Sequence, residues 1–141
     1  MIYEKYSKKH LDDLSYEVIG AAIEVHKVLG PGLLESAYHQ CLSHELSLRR
    51  ISFKTEVIIP IEYKDFEFET SLRCNLFIED ILVAELKAIE SVLPIHEAQI
   101  LTYMKLLKAP KGIILNFNVL NIFKDGQKTF VNEIYRNLPE L

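Results

Sequence analysis

From residue 11 to residue 29 the apolar side chains Leu11, Leu14, Val18, Ala22, Val25 and Leu29 recur at helical intervals. That spacing predicts an amphipathic helix with one buried stripe. Gly30-Pro31-Gly32 stops it and sets up a second helix over 33–50, with Leu34, Tyr38, Cys41, Leu42 and Leu46 facing inward. Three strand-like segments follow at 53–63, 66–78 and 81–88, separated by turns at Lys64-Asp65 and Glu79-Asp80. Pro94 suits the first turn of a third helix ending near Leu107, before Pro110. The apolar run Ile113-Ile114-Leu115 makes 112–116 a short fourth strand of the buried type. Asp125-Gly126 marks a turn, and the tail to Leu141 adds an edge strand or a short helix. The order ααβββαβ predicts an α/β or α+β fold, a mixed sheet with helices packed on it.

Size and composition narrow the class. At 141 residues, 49% hydrophobic and 26% charged, the chain reads as one globular domain over 1–141. No apolar run approaches the ~20 residues that span a bilayer, and the polar, lysine-rich segment 1–10 lacks the apolar core of a signal peptide. Cys41 and Cys74 have no paired His/Cys spacing, which argues for a reducing interior and against a zinc site; the cytoplasm is the expected compartment, with no membrane partner. The formal charge is −4, and the bases are scattered as Lys5, Lys8 and Lys9; Arg49, Arg50 and Lys54; and Lys105, Lys108 and Lys111. Such groups read as solvated faces rather than a nucleic-acid patch. An acidic total leaves a nuclease possible, because metal-binding carboxylates add negative charge of their own, but it predicts weak, metal-dependent binding.

Candidate chemistry appears where polar residues interrupt apolar patterns. Glu85 and Lys87 sit two apart at the end of the run 81–86, so alternation puts both on one face of a strand. Charges enter such a strand when they are paired, bound to a metal or catalytic. On the third helix, Gln99 and Tyr103 project between Ile95, Ala98, Thr102 and Leu106 on one side and Ile100 and Leu107 on the other, in the middle of the expected buried arc. A buried glutamine needs hydrogen-bond partners or costs ~1–3 kcal/mol; a backbone carbonyl would satisfy it without any function. Glu35 lies with Tyr38, Leu42 and Leu46, away from the solvent-facing Ser36, His39 and Ser43. A first-turn glutamate meeting the helix dipole explains it equally well. His26, at the flank of the first stripe, reads as a packed, hydrogen-bonded histidine. Asn75 and Glu85 become cross-strand neighbours if the turn at Glu79-Asp80-Ile81 has an odd number of residues, and not if it has two.

Carboxylates and a lysine gathered at a strand end suit metal-assisted phosphodiester hydrolysis, with hard oxygen ligands for Mg²⁺ or Mn²⁺. The lysine would orient the attacking water or help deprotonate it, and would stabilise developing charge. Gln99 and Tyr103 would position the phosphate. No Ser-His-Asp or Cys-His arrangement and no glycine-rich phosphate loop stands out.

The run from Val25 through Gly32, Glu35 and Tyr38 resembles the signature of the GxxExxY family. The segments Val83-Ala84-Glu85-Leu86-Lys87-Ala88, Pro94-Ile95-His96-Glu97-Ala98-Gln99 and Gly112-Ile113-Ile114-Leu115-Asn116-Phe117-Asn118 look like that family too, in the same order, and together cover about 11–125. The resemblance implies the PD-(D/E)XK nuclease superfamily and a restriction-endonuclease-like fold. It implies Glu85 and Lys87 as the acidic and lysine members of the motif, Glu35 as a helix carboxylate of the metal site, and Gln99 and Tyr103 as the QxxxY element. One departure stands out. Where the family reads like Arg-Ala-Asp-Leu-Leu, this chain has Arg73-Cys74-Asn75-Leu76-Phe77, so Asn75 replaces the principal metal-binding aspartate. An amide oxygen can still face a metal, without charge. Two functions follow: a metal-dependent DNA nuclease, impaired to the extent that Asn75 weakens its metal site, or an inactive nuclease-fold module that binds nucleic acid or protein. Strand preference, exo or endo mode and oligomeric state have no signature in the chain.

Overall fold

The computed structural model describes residues 6–141, so Lys5 lies outside the described residues. Helix α1 spans Lys8–Leu29. It starts ahead of the apolar stripe because the Ser7 hydroxyl accepts the His10 N–H at 3.1 Å. It ends at Gly30, whose φ of +70° is costly for other residues. Gly32, at φ +97°, and an extended Leu34 delay helix α2 to Glu35–Leu48, a turn shorter than periodicity predicts.

Strands β1 (Phe53–Tyr63), β2 (Phe66–Ile78), β3 (Leu82–Lys87), β4 (Lys111–Asn116) and β5 (Gln127–Val131) lie side by side in chain order. All neighbours are antiparallel except β3 and β4. That parallel pair requires a crossover, which helix α3 (Pro94–Leu107) supplies. The tail contains both expected possibilities, β5 and the short helix α4 (Glu133–Arg136), and Asp125-Gly126 closes a π-helical turn. The result is the mixed α+β sheet flanked by helices that the element order predicted, with β5 adding a fifth strand to the four of that order.

Each face of the sheet has its own core. Leu76, Ile78, Leu82, Ala84, Leu86, Ile113 and Leu115 pack with α1 and α2. Cys74, Phe77, Val83 and Ile114 pack with Ile100, Tyr103 and Met104 of α3. Every residue of β4 is buried, as expected for a strand covered on both sides. His26 is the packed histidine that the sequence suggested. Its Nε2 lies 3.1 Å from the Phe117 carbonyl and 2.8 Å from that of Val119, so that nitrogen carries the proton. Most of the scattered bases pair locally: Lys8 with Glu140, Lys9 with Asp13, Arg49 with Glu17 and Glu45, Lys54 with Asp80 and Lys111 with Asp12.

Helix α3 has the predicted ends but a rotated inner face. Ile100, Tyr103 and Met104 are buried, whereas Ile95 is 68% exposed and Ala98 and Thr102 are also exposed. Gly112 explains the rotation. A Cβ there would stand 2.7 Å from Met104 Sδ and 3.0 Å from Ile100 Cδ1, so the missing side chain admits those two residues onto β4. Gly112→Val should overpack this contact and cost ~1–3 kcal/mol, read as a lower denaturation midpoint in urea with little change in slope.

Candidate functional site

The β2–β3 turn is Glu79-Asp80-Ile81, an odd number of residues, and Leu76 pairs with Ala84. That register places Asn75 opposite Glu85, as the odd-turn case required. The backbone ladder stops one step short of them. Beyond it the Asn75 N–H donates to Glu85 Oε2 at 2.7 Å, and the Leu86 N–H donates to Asn75 Oδ1 at 2.9 Å. Two side chains thus replace the missing rung of the ladder, which satisfies backbone groups that would otherwise go unpaired as the strands part.

The parting coincides with a change of phase in strands β1 and β2. On β1, Phe53 packs with the α1/α2 core, but Val57 and Ile59 pack with the α3 core. On β2, Leu76 and Ile78 face α1 and α2, while Cys74 faces α3. Strict alternation would keep residues two or four apart on one face. Glu56 sits at the break, at φ +51°, a left-handed conformation that costs a non-glycine residue free energy. The flanking pairs Thr55 with Leu76 and Val57 with Cys74 put Glu56 across from Asn75.

Helix α2 closes over this break with its first turns. His39 Nε2 lies 3.2 Å from the Asn75 carbonyl and 3.3 Å from Glu56 Oε1. Both are acceptors, so this nitrogen carries a proton. Glu35, Ser36, His39, Gln40, Glu56 and Asn75 line a cleft of about 390 Å³. Two expectations for α2 are thereby corrected. Glu35 is exposed in the cleft, not buried with Tyr38 and Leu42, and His39 is half-buried, not solvent-facing. The helix sits across the end of the parted strands, so its 35/39 diagonal faces the break while Tyr38 enters the core. Tyr38 fixes this placement. Its ring stacks on Phe117 at 4.5 Å, and its hydroxyl donates to the Gly30 carbonyl at 2.6 Å and accepts the Leu33 N–H at 3.1 Å. It therefore clamps the loop that leads directly to Glu35.

Glu85 is the centre of the electrostatics. It is 5% exposed, and burial pushes its carboxyl up to about 7. The Asn75 N–H and the Lys87 ammonium pull the other way, while the negative charges of Glu35 and Glu56 add to the rise. Tyr103 is brought close as expected. Burial raises its phenol first, and the Glu85 charge raises it further. Burial and then Glu85 likewise hold the Cys74 thiol protonated, and its Sγ donates to the Leu76 carbonyl. Gln99, one turn before Tyr103, is half-buried instead of central, and neither its amide nor the Tyr103 hydroxyl hydrogen-bonds to another described residue. Lys87 is half-buried on the same strand face as Glu85 and forms no ion pair among the described residues. Asn116, across from Lys87, bonds both backbone groups of Ile89 and so anchors the chain just past the lysine.

These donors suit a hard cation. A buried carboxylate has two further carboxylates within electrostatic reach, and Oε1 of Glu85 accepts no hydrogen bond among the described residues. No three His, Cys, Asp or Glu groups among the described residues already converge on one point. A divalent ion here would therefore have to rely on one or two of these carboxylates and on water for the rest of its shell. Sequence reasoning missed Glu56 and His39. The one available signal was a glutamate inside β1, where neither charge nor alternation marked it out.

A family model described as the PD-(D/E)XK nuclease superfamily matches residues 12–130. No curated protein and no solved structure gave a match.

Because the folded-state value of Glu85 lies above its ordinary 4.5, folding disfavours its ionised form. The stabilising contribution of the neutral carboxyl is complete below about 4.5 and is lost as pH rises through about 7. Glu85→Gln should accordingly stabilise the metal-free protein at pH 8 by on the order of 3 kcal/mol, with the advantage vanishing near pH 4.5, as paired thermal melts across that range would record.

Proposed function

The chain belongs to the PD-(D/E)XK nuclease superfamily, and on that footing we propose that it hydrolyses DNA phosphodiester bonds with a divalent cation, Mg²⁺ or Mn²⁺. The observation that carries this reading is Glu85: a buried carboxylate, short of positive charge, at the mouth of two parted strands with Lys87 on the same face. The Gly32, Glu35 and Tyr38 spacing supports assignment to the GxxExxY branch. The two free cysteines and the lack, among the described residues, of any helix long and apolar enough to cross a membrane suit work in the cytoplasm.

In this reading Glu85 and Glu35 hold the cation, with Asn75 presenting an uncharged oxygen beside them. When bound, the cation supplies Lewis-acid polarisation of the phosphate and lowers the pKa of water. The protein's own residues do the rest. Glu85 must be ionised to serve, so its raised value makes cation uptake compete with a proton and favours activity above neutral pH. Lys87 orients the attacking water and stabilises charge that builds on the phosphate oxygens. Tyr103 and Gln99, whose polar groups bond to no other described residue, donate to the phosphate and fix its position. Water adds to phosphorus and releases a proton to solvent, the bond to the leaving sugar oxygen breaks, and that oxygen takes up a proton from solvent.

Asn75 sets the level of activity. It uses only its side-chain oxygen, and its Nδ2 makes no hydrogen bond among the described residues. Asn75→Asp therefore keeps the Leu86 contact and adds charge. Cleavage of single- and double-stranded DNA in Mg²⁺ or Mn²⁺ should rise at least tenfold in Asn75→Asp, and Lys87→Ala should fall to background. An inert Asn75→Asp variant in both metals would instead favour a binding module that retains the fold without turnover.

A further inference from the structure

The β1–β2 hairpin runs past the rest of the sheet. Backbone pairing of β2 with β3 ends at Leu76, so residues 60–69 pair only with one another, as a two-stranded arm. A lone hairpin has marginal stability in water, and large apolar side chains on it are a liability unless something covers them. Every residue from Glu62 to Glu69 is exposed, and Tyr63 and Phe66, which flank the tip, are each 62% exposed. The tip itself is Lys64-Asp65, one charge of each sign. Just behind it, the arm and the end of α3 enclose a groove of about 640 Å³. Its apolar part is Ile61 and Phe68 from the arm and Leu106 from α3. Glu62, Glu67 and Glu69 line it from the arm, Lys105 and Lys108 from the helix end, and none of these five forms an ion pair among the described residues.

We propose that this arm is a dimer contact: the tip of one copy docks in the groove of a second copy, which returns the contact. The two surfaces are complementary in charge and polarity. Tyr63 and Phe66 of one copy meet the apolar part of the other's groove, while Lys64 is matched to its three glutamates and Asp65 to its two lysines. Tip and groove are neighbours on one hairpin, so a single two-fold axis between them forms both contacts at once, an isologous interface. Two rings from each arm, with an equal area of groove, cover on the order of 1,000 Å² in total, the lower end of what a specific interface needs. A nucleic-acid strand is the poorer occupant, because negative charges outnumber positive ones around the groove. The contact is independent of the metal-dependent reading.

The test is sedimentation velocity on the full chain over a concentration series. The native chain should sediment at twice its 16.3 kDa mass and dissociate on dilution. Tyr63→Ser/Phe66→Ser should weaken association about tenfold or more, the size of one strong interface contact. Both rings are exposed in the single copy, so that variant should melt with the native chain at dilutions where the native chain is monomeric. Lys105→Glu/Lys108→Glu should weaken association to a similar extent, and adding Asp65→Lys should recover most of the loss. A native chain that stays monomeric at every attainable concentration would overturn the proposal, and DNA binding lost in Tyr63→Ser/Phe66→Ser would then assign the arm to nucleic acid. A dimer that the tip substitutions leave intact would overturn it as well.

Discussion

The site depends on the way β2 and β3 come apart. An antiparallel pair normally continues as a backbone ladder, but at Asn75 and Glu85 the rung is made by side chains. This does two things at once. It satisfies backbone donors that separation would leave unpaired, and it holds a carboxylate in a place from which water is largely excluded. The usual free-energy cost of burying a charge then appears as a carboxyl raised to about 7. A protein that only needed to fold would gain stability from an amide side chain there, which keeps an acceptor for the Asn75 N–H without a buried charge. Retaining the acid makes sense where a cation or a proton is part of the work.

The surroundings turn that local feature into a site. Gly112 lets α3 settle closely on β4, which sets Tyr103 beside Glu85. Tyr38, stacked on Phe117 and bonded to the loop at Gly30 and Leu33, fixes where α2 begins and hence where Glu35 stands. The phase change at Glu56 releases β1 and β2 from strict alternation. Glu35 and His39 from α2 line one cleft with Glu56 and Asn75 from the strands as a result, and Glu85 is tied to its edge through the Asn75 N–H. The superfamily relationship supplies the reaction class, and these contacts supply the reason for the arrangement.

Much of this was legible in the sequence, because it rests on periodicity and turn chemistry. The strand carrying Glu85 and Lys87, the helix bounded by Pro94 and Leu107, and the two alternatives for the 75/85 register all follow from local pattern. What escaped depends on long-range geometry. A left-handed glutamate inside a strand leaves no trace in alternation, so Glu56 went unnoticed. His39 looked solvent-facing because the helical projection of α2 does not show where its first turn will meet the sheet. The inner face of α3 was centred on Gln99, whereas the missing side chain at Gly112 draws in Ile100 and Met104. In each case the deciding partner lies on another element.

Central to the whole account is a Glu85 carboxyl whose ionisation burial opposes and which, in the proposed reading, a bound cation would favour. The most direct measurement is a ¹³C NMR titration of that carboxyl carbon, first without metal and then with saturating Mg²⁺. The account predicts a metal-free midpoint near 7, displaced to lower pH by Mg²⁺. A midpoint near the ordinary 4.5, unmoved by the cation, would contradict it.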